Sequence, residues 1–211
     1  MTALHVFDMD GTLLGSSASM EVARQLGTLA EVTGLEARMA AGEIGSRDFA
    51  QVIVESWRQL TDEMVAAAFE AGPWLAGIAE VCADIRARGE LSAVITLSPD
   101  FFARHLLGHG FDHVVASVFG PLPLTGPLAL EGILRPDDKL AAVRDLCARH
   151  GLALDRCVAY GDSMSDAPVF GVLDRTVAVN ADHHLEGLAA EHYRGQDLMA
   201  AYRLGRGLLR S

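Results

Sequence analysis

Five short, mostly apolar runs punctuate the chain: Leu4 to Phe7, Leu91 to Ile95, His113 to Val118, Arg156 to Tyr160 and Thr176 to Val179. They are apolar at consecutive positions, the pattern of strands covered on both faces. Between most of them apolar residues recur at helical spacing. Ile78, Val81, Cys82 and Ile85 share one face, and Leu140, Val143, Leu146 and Cys147 share another. These two helices stop at Gly89 and Gly151. Strands alternating with helices predict an α/β protein, a three-layer Rossmann-like parallel sheet.

Residues 15–75 depart from this alternation and hold helical stripes with no strand pattern. Phe49, Val52, Ile53, Trp57 and Leu60 form one stripe. Its spacing places Phe49 and Trp57 in a helical core before it suggests a substrate stack. The stretch "TDEMVAAAFEAG" offers Thr61 as an N-cap, two acids in the first turn and a stop at Gly72-Pro73. The expected organisation is therefore a core of residues 1–14 and 76–211, with a helical cap, 15–75, inserted after the first strand. An insertion at that point overhangs the carboxyl ends of the strands, where open α/β sheets bind ligands. A lid is the expected consequence.

The polar residues that interrupt the apolar pattern follow the strands. The first strand ends in Asp8, Asp10, Gly11 and Thr12; the second in Thr96, with Ser98-Pro99-Asp100 opening a helix; the fourth in Gly161, Asp162, Ser163, Ser165 and Asp166. A polar turn would explain Asp8 and Asp10 taken alone. In a parallel sheet, however, these ends converge, and four carboxylates aimed at one crevice need a cation. Hard oxygen donors point to Mg²⁺. An anion is implied as well. Ser98 and Pro99 suit the start of a helix with free N–H groups. Lys139 falls in the first turn of a helix beginning near Asp137, where it opposes the helix dipole. A solvated surface lysine is the plain alternative; a lysine aimed at a phosphate accounts for the position.

A divalent cation, a phosphate-sized anion and a spare carboxylate make a phosphoryl-transfer site. One carboxylate attacks phosphorus, and a second acid protonates the leaving oxygen and then deprotonates water. Aspartates at i and i+2 of an extended chain lie on the same side, as that division of labour requires.

Along its whole length the chain resembles the haloacid-dehalogenase-like phosphatases: "DMDGTLL", "VIT", the Lys139 helix start and "GDSMSD" match the four motifs in order. The resemblance implies Asp8 as nucleophile and Asp10 as general acid/base, with the Asp10 main-chain carbonyl on the metal. It implies Thr96 and Lys139 on the phosphate, and Gly11 and Thr12 shaping the turn beside it. Asp162 would bind Mg²⁺ directly, joined by Asp8, and Asp166 would support it directly or through water. The helical cap and "DFAQVIVESW", with Phe49 near the substrate, resemble the phosphoserine-phosphatase-like branch. Three positions depart from that branch. Ser17 stands where it has a cap glutamate, Ser56 where it has a cap arginine, and Ser165 where it has asparagine. Losing both charged anchors weakens discrimination for a zwitterion. The expected substrate is a small phosphorylated metabolite, not strictly phosphoserine, with Ser16, Ser17, Ser19 and Ser56 offering hydroxyls. A phosphotransferase or mutase using the same aspartyl phosphate, and a non-catalytic phosphate-binding module, are the alternatives.

Composition narrows the setting. The 211 residues are 50% hydrophobic and 21% charged, which gives a globular chain. The net charge is −11 and basic residues do not cluster, so nucleic acid is not an expected partner. No apolar run nears the ~18 residues of a membrane span and no signal peptide is evident, so no membrane partner is expected. Cys82, Cys147 and Cys157 sit in core-like positions, suggesting reduced thiols and a cytoplasmic monomer or homodimer. His105, His109 and His113 are separated by Gly108 and Gly110 and read as a loop, not as a metal face; His183-His184 reads as a polar helix start. The final "RLGRGLLRS" reads as a frayed basic tail.

Overall fold

The computed structural model describes residues 2–210. In chain order the elements are β1 (Leu4–Phe7), α1 (Ala18–Leu26), α2 (Leu29–Ala40), α3 (Ser46–Ser56), α4 (Asp62–Ala71), α5 (Ile78–Ala87) and β2 (Leu91–Pro99). There follow α6 (Asp100–Ala103), β3 (His113–Ser117), α7 (Pro136–Arg149), β4 (Cys157–Gly161), α8 (Ala167–Phe170), β5 (Thr176–Val179), β6 (Glu191–Tyr193) and α9 (Leu198–Leu208).

The strands form one sheet in the order β3-β2-β1-β4-β5-β6, and every neighbouring pair is parallel. This is the expected doubly covered α/β architecture. β1 lies near the middle, with Leu4 opposite both Leu91 and Cys157. Its side chains alternate between two cores. Leu4 and Val6 pack with Val143, Leu146 and Cys147 of α7. Phe7 joins the other core with Ile78, Val81 and Tyr202, and its ring stacks on Tyr160 at 4.2 Å. His5, on the Phe7 face, is fully buried. Its Nδ1 lies 3.1 Å from the Tyr160 hydroxyl and its Nε2 3.1 Å from Glu90, which also accepts from Arg206. Burial pushes the His5 imidazole down from its ordinary value, so the neutral ring bridges the two.

The helices α1 to α4 lie between β1 and β2, as the sequence led one to expect. Thr61 caps α4 by accepting from the Met64 N–H at 3.3 Å. Trp57, at the end of α3, is buried against Phe101 and Phe119, which tie this helical segment to the sheet region. Among the described residues no helix is long and apolar enough to cross a membrane.

Three local expectations need correction. β2 runs on to Pro99, so Ser98 is a strand residue and not an N-cap, and α6 is only four residues long. β6 adds a sixth strand that its three residues, Glu191 to Tyr193, do not announce. The basic C-terminal stretch is no frayed tail: through Leu208 it belongs to α9, whose Leu198, Ala201, Tyr202 and Gly205 are buried. Ser211 lies outside the described residues.

Gly205 marks where α9 meets the sheet most closely. A Cβ there would lie 2.2 Å from the Tyr160 hydroxyl and 2.8 Å from Val158 Cγ1. Both neighbours are held by β4 and cannot retreat cheaply. Alanine improves helix propensity by about 1 kcal/mol, but overpacking costs about 1–3 kcal/mol. Gly205→Ala is therefore expected to lower the midpoint of thermal unfolding, read by circular dichroism, by a few degrees.

Candidate active site

Carbonyl-end residues of β1, β2 and β4, with the first turn of α7, form the site. The Asp8 N–H donates to the Tyr160 carbonyl at 2.9 Å, continuing the ladder, and directs the carboxylate off the strand end. Lys139, only 2% exposed, enters from α7. Its Nζ lies 2.9 Å from Asp8 Oδ1 and 2.8 Å from Asp166 Oδ1, and it donates to Ser165 Oγ at 2.9 Å. That threefold anchoring explains a buried lysine at a helix start, where the dipole alone would reject it. The other oxygen of Asp166 accepts from the N–H groups of Asp162 and Ser163 at 3.0 and 3.3 Å. Both of its oxygens thus already hold protein groups.

Asp8, Asp162 and Asp166 bring carboxylate oxygens within 4.8 Å of one another. Gly11, at φ 75°, makes the approach possible, since a Cβ on it would lie 2.1 Å from Asp162 Oδ2. Thr12 Oγ1 donates to Asp162 Oδ1 at 3.3 Å. The all-oxygen donor set and the space left by Gly11 fit a small hard cation such as Mg²⁺. The Asp10 side chain turns elsewhere. Its Oδ1 accepts from the Ala18 N–H at 3.0 Å and its Oδ2 from the Ser98 hydroxyl.

Burial dominates the electrostatics. It raises the Asp8 carboxyl well above the usual carboxylate range, with Asp166 adding to the rise and Lys139 opposing it. Burial raises Asp162 to about 8, helped by Asp166. It raises Asp10 to about 7, against the hydrogen bond from Ser98 and with Glu36 adding to the rise. Burial disfavours the charge on Lys139, but Asp166 and Asp8 outweigh it and hold the ammonium charged.

These groups open into a cavity of about 570 Å³. Asp8, Asp10, Gly11, Thr96, Lys139 and Asp162 reach it from the sheet side. Phe49 and Trp57 reach it from α3 and its end, so the stripe that reads as helical core also lines the cavity. Ser16, Ser17 and Ser19 reach it too, but Ser17 is already engaged: it caps α1 through the Met20 N–H and donates to Glu36. Ser56 does not line it. Its hydroxyl turns back onto the Ile53 carbonyl at 2.8 Å, as serines inside helices do, so it offers the cavity no contact. Thr12 does not line it either; its hydroxyl is engaged with Asp162.

Sequence reasoning missed Glu36 and Asp182, both on the cavity wall. His183-His184 does open a short 3-10 helix, capped by Asp182, and His184 also reaches the cavity wall, fastened to Asp182. The loop reading of the discounted histidines needs correction: His105 and His109 lie in a 3-10 helix, Arg104–His109, and both pack on the Phe69 ring, while His113 pairs with His150 at 2.9 Å, and none of the three joins a metal-ligating cluster among the described residues.

Residues 5–171 match the family model of the haloacid dehalogenase-like hydrolases. The chain belongs to that family. A putative hydrolase of Mycobacterium leprae is 30% identical over 220 residues, covering 90% of this chain and 71% of its own. A phosphoserine phosphatase of Halobacterium salinarum is 29% identical, with 84% of this chain and 85% of its own covered. A substrate-bound phosphoserine phosphatase structure superposes with a TM-score of 0.82 at 22% identity, covering 96% of this hydrolase and 98% of that chain. The hydrolase thus has the fold of the phosphoserine-phosphatase-like branch.

Proposed function

We propose that this hydrolase is a Mg²⁺-dependent phosphatase that releases phosphate from a small phosphomonoester through an aspartyl phosphate formed on Asp8. The observation that carries the reading is the contact of Asp8 with Lys139 at the cavity wall, beside Asp10, whose carboxyl titrates near neutrality. The Asp8 carboxylate attacks phosphorus while the bond to the ester oxygen breaks, and Asp10 gives its proton to that leaving oxygen. Water then attacks the acyl phosphate, Asp10 takes the water proton, and Asp8 is freed with inorganic phosphate. Splitting one displacement into two lowers each barrier, and one acid serves both steps. Thr96 and Lys139 hold phosphoryl oxygens, and Lys139 also opposes the protonation of Asp8 that burial favours. Asp8, Asp162 and the main chain of Asp10 would hold Mg²⁺, which would supply positive charge against the phosphoryl oxygens. Asp166, both of whose oxygens hold protein groups, would support the metal through the residues it orients.

Residues 15–75 act as a cap over this site, closing on substrate to limit bulk water. The absence of an arginine from the cavity wall supports a substrate other than phosphoserine. Arg58, the nearest candidate in sequence, pairs with Glu55 and donates to the Leu124 carbonyl at 3.0 Å.

The test is phosphate release from p-nitrophenyl phosphate and a panel of metabolite esters, with Mg²⁺ and with a chelator. Release that the chelator stops and added Mg²⁺ restores is the expected result. A phosphorylated acceptor in place of free phosphate would move the reading to a transferase.

A further inference from the structure

Glu36 is the one carboxylate of the helical segment on the cavity wall. It comes from α2, and the Ser17 and Ser19 hydroxyls of the α1 region both donate to its Oε1, the latter at 2.7 Å. Among the described residues Oε2 accepts no hydrogen bond, and no Arg, Lys or His lies within ion-pair distance of Glu36. The wall around it is apolar, with Met20, Met39, Ile44 and Phe49. A half-buried carboxylate in such surroundings is costly unless a positive partner arrives. Two serines that fix one oxygen and leave the other open hold it ready for such a partner.

Its place relative to the chemistry is also fixed. Ser17, which holds Glu36, adjoins Ala18, whose N–H binds Asp10. Glu36 is therefore tied to the wall one residue along from the contact of the acid that serves the leaving oxygen. Glu36 and Asp10 line the same cavity, so a positive group at Glu36 would belong to the alcohol part of the ester. Among the described residues no unengaged basic side chain on the wall is available to pair with a substrate carboxylate. The basic side chains on the wall are Lys139, already shared by Asp8 and Asp166, and His184, fastened to Asp182.

We propose that Glu36 is a specificity-determining residue that receives a substrate amine, and that the ester hydrolysed is the phosphate of an amino alcohol without a carboxylate. This rests on the phosphatase reading above and adds its substrate class. Ser17 and Ser19 are positioning residues that aim Glu36.

The experiment compares ω-aminoalkyl phosphates of two, three and four carbons with alkyl phosphates of the same lengths, as kcat/KM with Mg²⁺. A new charge-assisted contact predicts about a ten- to hundredfold preference for the amine at the best length. L-phosphoserine, which adds a carboxylate next to Glu36, should fall at least tenfold below 2-aminoethyl phosphate. In Glu36→Gln the amine-to-alkyl ratio should collapse towards one. Because the ratio is internal to each protein, a partly inactive preparation does not disturb it. The double variant Ser17→Ala/Ser19→Ala, which frees Glu36 from its anchors, should lower the same ratio if the glutamine variant does not fold. A wild-type ratio near one, or a preference that survives Glu36→Gln, overturns the proposal. Calorimetric binding of the matching ω-aminoalkyl and alkyl phosphonates separates it from the reading beneath it. If no ester is hydrolysed but the amine still binds tenfold tighter through Glu36, the phosphatase reading falls and the subsite stands. If esters are hydrolysed without regard to the amine, the reverse holds.

Discussion

Asp8→Asn is expected to abolish phosphate release and, in the absence of divalent cations, to raise the melting temperature. The loss follows from removing the attacking oxygen. Variants lacking a nucleophile lose on the order of 10⁴- to 10⁶-fold in turnover, so release should fall to the background of the assay. The gain in stability follows from burial, which makes the ionised Asp8 costly, and from Asp166, Asp162 and Asp10, which repel it. An amide keeps the shape and drops the charge, and Lys139 keeps Asp166 as its partner. A gain of about 1–2 kcal/mol corresponds to roughly 2–8 °C in a chain of this size. The sign with pH is fixed too. A carboxyl whose folded value is raised costs stability above its unfolded value near 4, and that cost vanishes as the pH falls towards it. The advantage of the variant should therefore grow from pH 4 towards neutrality. Added Mg²⁺ should shrink or reverse it, because binding at Asp8 and Asp162, as proposed above, would stabilise the wild type by mass action. Thermal melts at several pH values, with Mg²⁺ and with chelator, check all three statements.

Lys139→Ala is expected to damage both stability and activity. Its ammonium is the buried cation between Asp8 and Asp166, within 2.9 Å of each. Removing one member of such a group leaves uncompensated buried charge and costs about 3–5 kcal/mol. A fall of about 10 °C follows. It should be smaller at low pH, where the two carboxyls take up protons. Turnover should fall at least about 10²–10³-fold, the usual effect of losing one fixed positive donor at a transition state. Lys139→Arg is not a rescue, since a planar guanidinium cannot replace a compact ammonium that three partners enclose. Melting curves and phosphate release on the alanine and arginine variants decide both points.

Much of the site is legible in the sequence because its residues are local to strand ends. Asp8 and Asp10 are fixed relative to each other by two residues of chain, and the parallel sheet carries Thr96 and Asp162 to the same edge. Lys139 is visible because it violates the helix-dipole preference. What escapes is set by long-range packing. Nothing in "LAEVTGLEARMA" separates Glu36 from Glu31, which occupies an ordinary first-turn position on the same helix. Only the docking of α1 against α2 brings Glu36 to Ser17 and Ser19. Ser56 misleads for the opposite reason: position in a helix predicts a face, while its hydroxyl satisfies itself on the preceding turn. β6 is too short and polar to stand out, and its place depends on pairing with β5. The glycines of α9 weaken its helical signal, although Gly205 is there to let the helix close on Tyr160.

The strand order has a consequence for how the protein is made. β1 is synthesised well before its partners, Leu91 to Val94 and Cys157 to Tyr160. His5 and Tyr160 are 155 residues apart. At about 5–20 residues per second, β1 waits some 8 to 30 seconds on the ribosome before its second neighbour exists. The carboxylates of Asp8 and Asp162 cannot meet before then, so the carboxylate cluster of the candidate site assembles only after β4 has been made. Until that moment one edge of an apolar strand stands unpaired, an exposed template for wrong pairing in the nascent chain.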